Sequence, residues 1–175
     1  STLSAVYLAA VKDRLYCEGA TSRERRSGQT TLYLLLEALV GLMAPILSFT
    51  AEEIFGFMPA DPKRPASVLL SDFPEVDPAL RDPKLAADWE TLLAVRSAVT
   101  KTLEPLRAAG TIGQALEADV RIAATTAVAD VLASRRALLP EIFIVSRVTL
   151  VPEGSLEGPV VAPGVTVAAQ RVTGD

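Results

Sequence analysis

Arg23, Arg25 and Arg26, with Lys12, Arg14 and Tyr16 a few residues upstream, are the side chains whose types and spacing point to chemistry in this 175-residue chain. A guanidinium group donates paired hydrogen bonds to phosphate and stacks on unpaired bases, and a tyrosine ring adds a second stacking surface. That chemistry is recognition of a folded polyanion rather than bond making. Glu18 and Glu24 lie beside the cluster and weaken its field.

The usual parts of a catalytic site are missing from the sequence. His is absent, so the ordinary general base near neutral pH and the commonest metal ligand are both lacking. Cys17 is the single cysteine, which excludes a disulfide within the chain and a thiolate cluster, and it is expected as a buried thiol. Glu52 and Glu53 are neighbours on a helix and point about 100° apart, an arrangement suited to capping and solvation rather than paired acid–base work. The acidic residues between 72 and 88 lack the spacing of a calcium loop, and no glycine-rich phosphate cradle follows a strand. No catalytic residue and no metal ligand is assigned.

These groups need elements to hold them. Residues 2–16 carry apolar positions at Leu3, Val6, Tyr7, Ala10 and Val11 and read as one helix. Arg14 falls on its apolar face and needs a carboxylate, helix-end carbonyls or a phosphate, while Lys12 and Tyr16 project from the other side. After a polar connection at 18–23, a second helix runs from about Glu24 to Ala44. Its buried stripe is expected at Leu32, Leu35, Leu36, Leu39, Leu42 and Met43, with Gly41 admitting a neighbouring helix and Pro45 ending the run. Thr50-Ala-Glu-Glu53 has the form of a capping box opening a short helix.

Residues 59–83 are a proline-rich connector with a brief extended piece at 67–70, and Asp82-Pro83 signals the start of the next helix. That helix runs to about Ala109, with Leu85, Leu92, Val99 and Leu106 seven residues apart and Trp89, Val95 and Leu103 in the same seam. Arg96 interrupts the seam. Beyond Gly110 and Gly113 the pattern changes to a strand at 116–123, a helix at 126–138, a strand at 141–151, an exposed loop at 151–164 and a strand at 165–171. The fold class is therefore mainly α: a helical bundle over 1–109, followed by a small, incomplete α/β subdomain over 110–175.

Half of the residues are apolar, enough for a sizeable core without metals or staples. The net charge of −4 and pI near 5.0 mean that any polyanion is gripped by local rather than global charge. The apolar run Leu32–Leu47 is broken by Glu37 and Pro45 and is too short to span a bilayer, so a cytoplasmic protein without membrane contact is expected.

The same residues resemble the C-terminal anticodon-binding region of bacterial isoleucyl-tRNA synthetases, within the class I aminoacyl-tRNA synthetases. The resemblance lies in Val11-Lys-Asp-Arg-Leu-Tyr16, Arg25-Arg26-Ser-Gly-Gln-Thr30 and Met43-Ala-Pro-Ile-Leu-Ser-Phe-Thr-Ala-Glu-Glu-Ile54, and continues through Asp72-Phe-Pro74, Trp89–Arg96 and Gly113–Ala118. It implies an anticodon-binding helical bundle followed by part of a small junction subdomain. The implied partners are the anticodon stem-loop of tRNA(Ile) and the catalytic and editing domains of the same polypeptide. The full enzyme is expected to be a monomer that uses ATP and Mg2+ to attach isoleucine to its tRNA, and many members carry a zinc module. The catalytic signatures of the family are absent here, so the resemblance implies no cofactor and no catalysis for this stretch. The tRNA-binding positions it implies are Lys12, Arg14, Tyr16, Arg25 and Arg26, with Arg23 a weaker electrostatic addition. Arg25 and Arg26 are expected to meet phosphates or bases, and Arg14 to order the helix pair. Kinship with valyl- and leucyl-tRNA synthetases leaves those two as alternatives; a helical protein-interaction module is the reading outside the family.

Overall fold

Alternation of apolar and charged residues in Ala118-Asp-Val-Arg-Ile122 builds the centre of a four-stranded sheet. The computed structural model describes residues 3–158 and 160–172. They form two compact units, one of the described residues within 3–11 and 82–172 and one of Lys12–Arg81. Thr2 of the expected first helix lies outside the described residues.

In the first unit the strands are β1 (Ala118–Ala124), β2 (Arg147–Val151), β3 (Val160–Ala162) and β4 (Val165–Arg171), in the order β2-β1-β4-β3. β1 runs parallel to β2 and antiparallel to β4, with Val120 opposite Val148 on one side and Ala169 on the other. Ala118, Val120, Ile122 and Ala124 all enter the core, whereas Arg121 of the opposite parity is exposed. One face of the sheet is thus packed, and the other is exposed at Arg121 but covered at Ala123.

The helix Pro83–Ala108, α5, covers the packed face. Asp82 accepts from the Leu85 amide at 2.9 Å, which caps the helix where the sequence placed its start. Leu92, Val95, Ala98, Val99 and Leu103 are buried and meet the sheet and the helices α6 (Thr126–Ser134) and α7 (Leu139–Phe143). The expected seam is therefore real but faces a sheet and two short helices. Arg96, the polar interruption, donates from Nε to the Ile142 carbonyl at 3.0 Å. Because α5 belongs to the sheet's core, the compact units part at 11/12 and 81/82.

Three expectations in this unit change. Residues 141–143 belong to α7, opened by Pro140, and Ile144 adopts the left-handed conformation at φ 58° that ends it, so only 147–151 is strand. The expected helix 126–138 stops at Ser134 and gives way to a 3-10 turn at Arg136–Leu138. Within the expected loop, Val160–Ala162 pairs with β4 across a tight turn, where Gly164 takes φ 69° and packs against Thr125. Of that loop, Pro159 is not described.

The first helix is also broken. A π-helical turn, Leu3–Tyr7, passes into α1 (Leu8–Ala10), and buried Val11 at ψ −5° separates this from α2 (Lys12–Tyr16).

In the second unit, α2 is followed by α3 (Arg23–Met43) and α4 (Ser48–Phe57). Its core is Val40, Ala44, Ala51, Met58 and Val68, flanked by Tyr33, Ile54 and Phe55. The buried side of α3 is thus the Tyr33–Val40–Ala44 side; Met43 of the expected stripe packs against it, whereas Leu36, Leu39 and Leu42 are exposed. Helical spacing identifies an apolar face but not which part of a nearly all-apolar run meets a neighbour. Gly41 faces Pro74 of the connector and not a helix; Gly28 is the buried glycine, beneath Leu15 of α2.

The capping box does not form either. α4 begins at Ser48, with Leu47 as its N-cap, three residues earlier than expected, so Thr50 lies inside it, and Ser48 Oγ donates to the Ala44 carbonyl at 2.8 Å. Residues 67–70 form a capped 3-10 turn, Val68–Leu70, and not an extended piece.

Candidate nucleic-acid interface

Ser22 sets the geometry of the basic cluster. Its hydroxyl accepts from the Arg25 amide at 3.1 Å and starts α3, so Arg23, Glu24, Arg25 and Arg26 make up the helix's first turn. Free amides and the positive end of the helix dipole therefore add to the guanidinium charge, a combination that favours an anion at this end. The preceding connection is tight, with the Cys17 amide bonded to the Asp13 carbonyl at 2.8 Å and the Ser22 amide to the Gly19 carbonyl at 3.0 Å.

The cluster divides by exposure. Lys12, Arg23 and Arg26 are exposed, and Tyr16 is 80% exposed. Arg23 and Arg26 are three residues apart and lie about 60° from one another around the helix. Arg25 is half-buried: its Nη1 donates to the Glu18 carbonyl at 2.9 Å and ties the connection to the helix. Arg14 is half-buried and engaged within the chain. Leu15, between Arg14 and Tyr16, rests over Gly28 and docks α2 on α3.

Cys17 is exposed, against the expectation of a buried thiol. Hydrogen bonding to Asp13 and that carboxylate's charge raise its thiol above the ordinary value, with desolvation and Glu18 adding to the effect. Less thiolate is therefore present at a given pH than for an unperturbed cysteine, which lowers the thiol's reactivity.

The residue that sequence reasoning missed is Arg64. Its side chain is only 10% exposed; Nη2 donates to the Tyr33 hydroxyl at 2.6 Å and lies 3.8 Å from Glu37, and Nη1 donates to the Pro59 carbonyl at 2.7 Å. The guanidinium also sits 5.1 Å from the centre of the Phe55 ring. Glu52 secures the next stretch, accepting from Ser67 Oγ at 2.8 Å and the Val68 amide at 3.0 Å. Nothing in the spacing of Arg64 announces this, because its partners lie up to 31 residues away.

The family profile described as anticodon-binding domain of tRNA ligase matches residues 1–122, which include the whole basic cluster and both helices that carry it. The chain belongs to this family. Similar proteins include the isoleucine–tRNA ligase of Desulforudis audaxviator, 43% identical over 97% of the chain and 18% of the relative's length. That of Geobacter sulfurreducens is 45% identical over 90% of the chain and 17% of its own length. That of Nitratidesulfovibrio vulgaris, strain DP4, is 47% identical over 83% of the chain and 16% of its length. This anticodon-binding domain chain thus spans less than one fifth of the relatives it matches. Among the described residues, no three His, Cys, Asp or Glu side chains converge to hold a metal, and no helix is long and apolar enough to cross a membrane.

Proposed function

We propose that the chain is the anticodon stem-loop binding part of an isoleucine–tRNA ligase, and that the exposed turn where α2 meets α3 holds the RNA. The observation that carries this reading is the exposure of Lys12, Tyr16, Arg23 and Arg26 on two helices that pack on one another, beside the Ser22-capped N-terminus of α3. Phosphates meet the cations, and an unpaired base stacks on Tyr16 or a guanidinium plane. Arg25 holds the Glu18–Ser22 connection in place with one N–H and keeps others for the RNA. Arg14 orders the hairpin from its half-buried position.

The contribution is positioning. Binding energy from the anticodon end commits the correct tRNA while its acceptor end lies in a catalytic domain elsewhere in the polypeptide. In the complete, monomeric, cytoplasmic enzyme the reaction consumes ATP with Mg2+, and a four-cysteine zinc module would draw its ligands from elsewhere in the polypeptide, because Cys17 is the single cysteine here. The functional division into an anticodon-binding part over 1–109 and a junction over 110–175 belongs to the same reading. Relatives that are isoleucine–tRNA ligases favour isoleucine over valine or leucine as the amino acid.

The test is a binding titration of the complete enzyme with tRNA(Ile) and a non-cognate tRNA, repeated for Arg25→Gln/Arg26→Gln. The double variant is expected to lose about tenfold or more in tRNA(Ile) affinity with unchanged circular dichroism. Unchanged affinity with an intact fold removes these arginines from the interface.

A further inference from the structure

At the far end of α3 from the arginines the second unit changes character. An open groove of about 700 Å³ lies between α3, the end of α4 and the connector that follows it. Its floor is apolar, with Leu34, Ala38, Met58 and Leu80, and Leu34 and Leu80 remain 53% and 79% exposed. The volume is that of a site for a few side chains. Its rim is acidic. Asp72 and Glu75 have no hydrogen bond or ion pair among the described residues; Asp61 and Asp77 accept from the Lys63 and Ala79 amides, and Glu37 keeps a 3.8 Å approach to Arg64. Arg64 spends its charge inward, which leaves Lys63 as the exposed cation of the lining. A methyl group added at Gly41, on the α3 wall, would lie 3.3 Å from Pro74, so the bare glycine lets the connector lie close along the helix.

We infer that this groove docks a segment of the same polypeptide, outside residues 3–172, that presents one or two apolar anchors next to Lys or Arg. Charge decides the class of occupant: with Glu37 set against Arg64, the four carboxylates of Asp61, Asp72, Glu75 and Asp77 face one outward cation, Lys63, and so repel phosphates and attract a basic peptide. An exposed Leu34 and Leu80 ask for apolar side chains, which a free metabolite with several charges does not supply. Length decides the source. The chain spans 16–18% of its relatives, so most of such a polypeptide lies elsewhere and is present at high effective concentration. The inference rests on the reading that the chain is part of a longer ligase, yet it concerns a face that carries no RNA.

The test uses the complete polypeptide with p-benzoylphenylalanine in place of Leu34, and in a second protein in place of Leu69, which is exposed but does not line the groove. After irradiation, mass spectrometry is expected to find Leu34 joined within the same molecule to a peptide outside residues 3–172 that carries an apolar residue beside Lys or Arg. Leu69 is expected not to give that product. Asp72→Lys/Glu75→Lys is expected to cut the yield about fivefold or more, with unchanged circular dichroism and unchanged tRNA affinity. No cross-link beyond residues 3–172, a product between two copies, a product with tRNA, or a yield indifferent to charge reversal each overturns the inference. Loss of tRNA binding in Arg25→Gln/Arg26→Gln is read separately, so failure of one proposal is distinguishable from failure of the other.

Discussion

Arg64 and Arg25 show how a single guanidinium sets local structure. Arg64 joins Tyr33, Glu37, Phe55 and Pro59, four residues from two helices and a loop. Arg64→Met keeps much of the apolar stem but removes the donor to the Tyr33 hydroxyl and the Pro59 carbonyl, and leaves Glu37 without its cation. A loss of about 2–3 kcal/mol of stability is expected, measurable by urea denaturation, and a loss below about 0.5 kcal/mol contradicts the role. Cys17 gives a residue-scale check on the hairpin's electrostatics. Asp13 raises the thiol's pKa, so less thiolate exists at a given pH, and Asp13→Asn is expected to speed alkylation by iodoacetamide near pH 8. An unchanged rate places Asp13 elsewhere. The arginine cluster was legible in the sequence because its members are adjacent. The division between Arg26, which is free to bind, and Arg25, which is partly spent on Glu18, was not, because it depends on the turn at 17–22.

α3 is the element on which most of the account turns. Its bounds, Arg23–Met43, lie within a residue of those read from the sequence, since Ser22 caps it and Pro45 forbids its continuation. Its buried side was misread because Leu32–Met43 is apolar on almost every face, so periodicity carries little contrast there. The docking glycine is Gly28. A methyl group added at Gly28 meets Leu15 at an ordinary 3.7 Å, whereas one at Gly41 meets Pro74 at a tight 3.3 Å. Gly28→Ala is therefore expected to be neutral or stabilising by up to about 1 kcal/mol, and Gly41→Ala to gain less, as read by thermal unfolding. A larger gain at Gly41 contradicts these packings. Gly28→Leu, by contrast, is expected to push α2 off α3 and weaken tRNA binding without touching a charge. In the other unit, β1, β4 and the start of α5 follow from alternation and from the Asp-Pro cap. The end of the expected strand at 141–151 does not, because Ile142 and Phe143 are buried equally well by a helix and by a strand.

On the scale of the molecule, a net charge of −4 coexists with a cationic hairpin because charge is segregated along α3. Arg26 and Glu37 are eleven residues apart, about 16 Å along a helix, and the carboxylates of Glu37, Asp61, Asp72 and Glu75 gather beyond that point. Such separation gives a polyanion one favoured end and leaves the other to a partner of opposite sign. The order of helices followed by strands was legible from composition and punctuation. The grouping of α5 with the sheet was not, since long-range packing leaves no mark on local periodicity. The central claim is that the α2–α3 turn meets RNA phosphates. Its most direct measurement is the salt dependence of tRNA(Ile) affinity for the complete enzyme, compared between the natural sequence and Arg26→Gln. Losing one phosphate contact is expected to reduce the slope of log affinity against log salt by about 0.7–0.9, with lower affinity at low salt. A slope and affinity identical to those of the natural sequence would contradict the account.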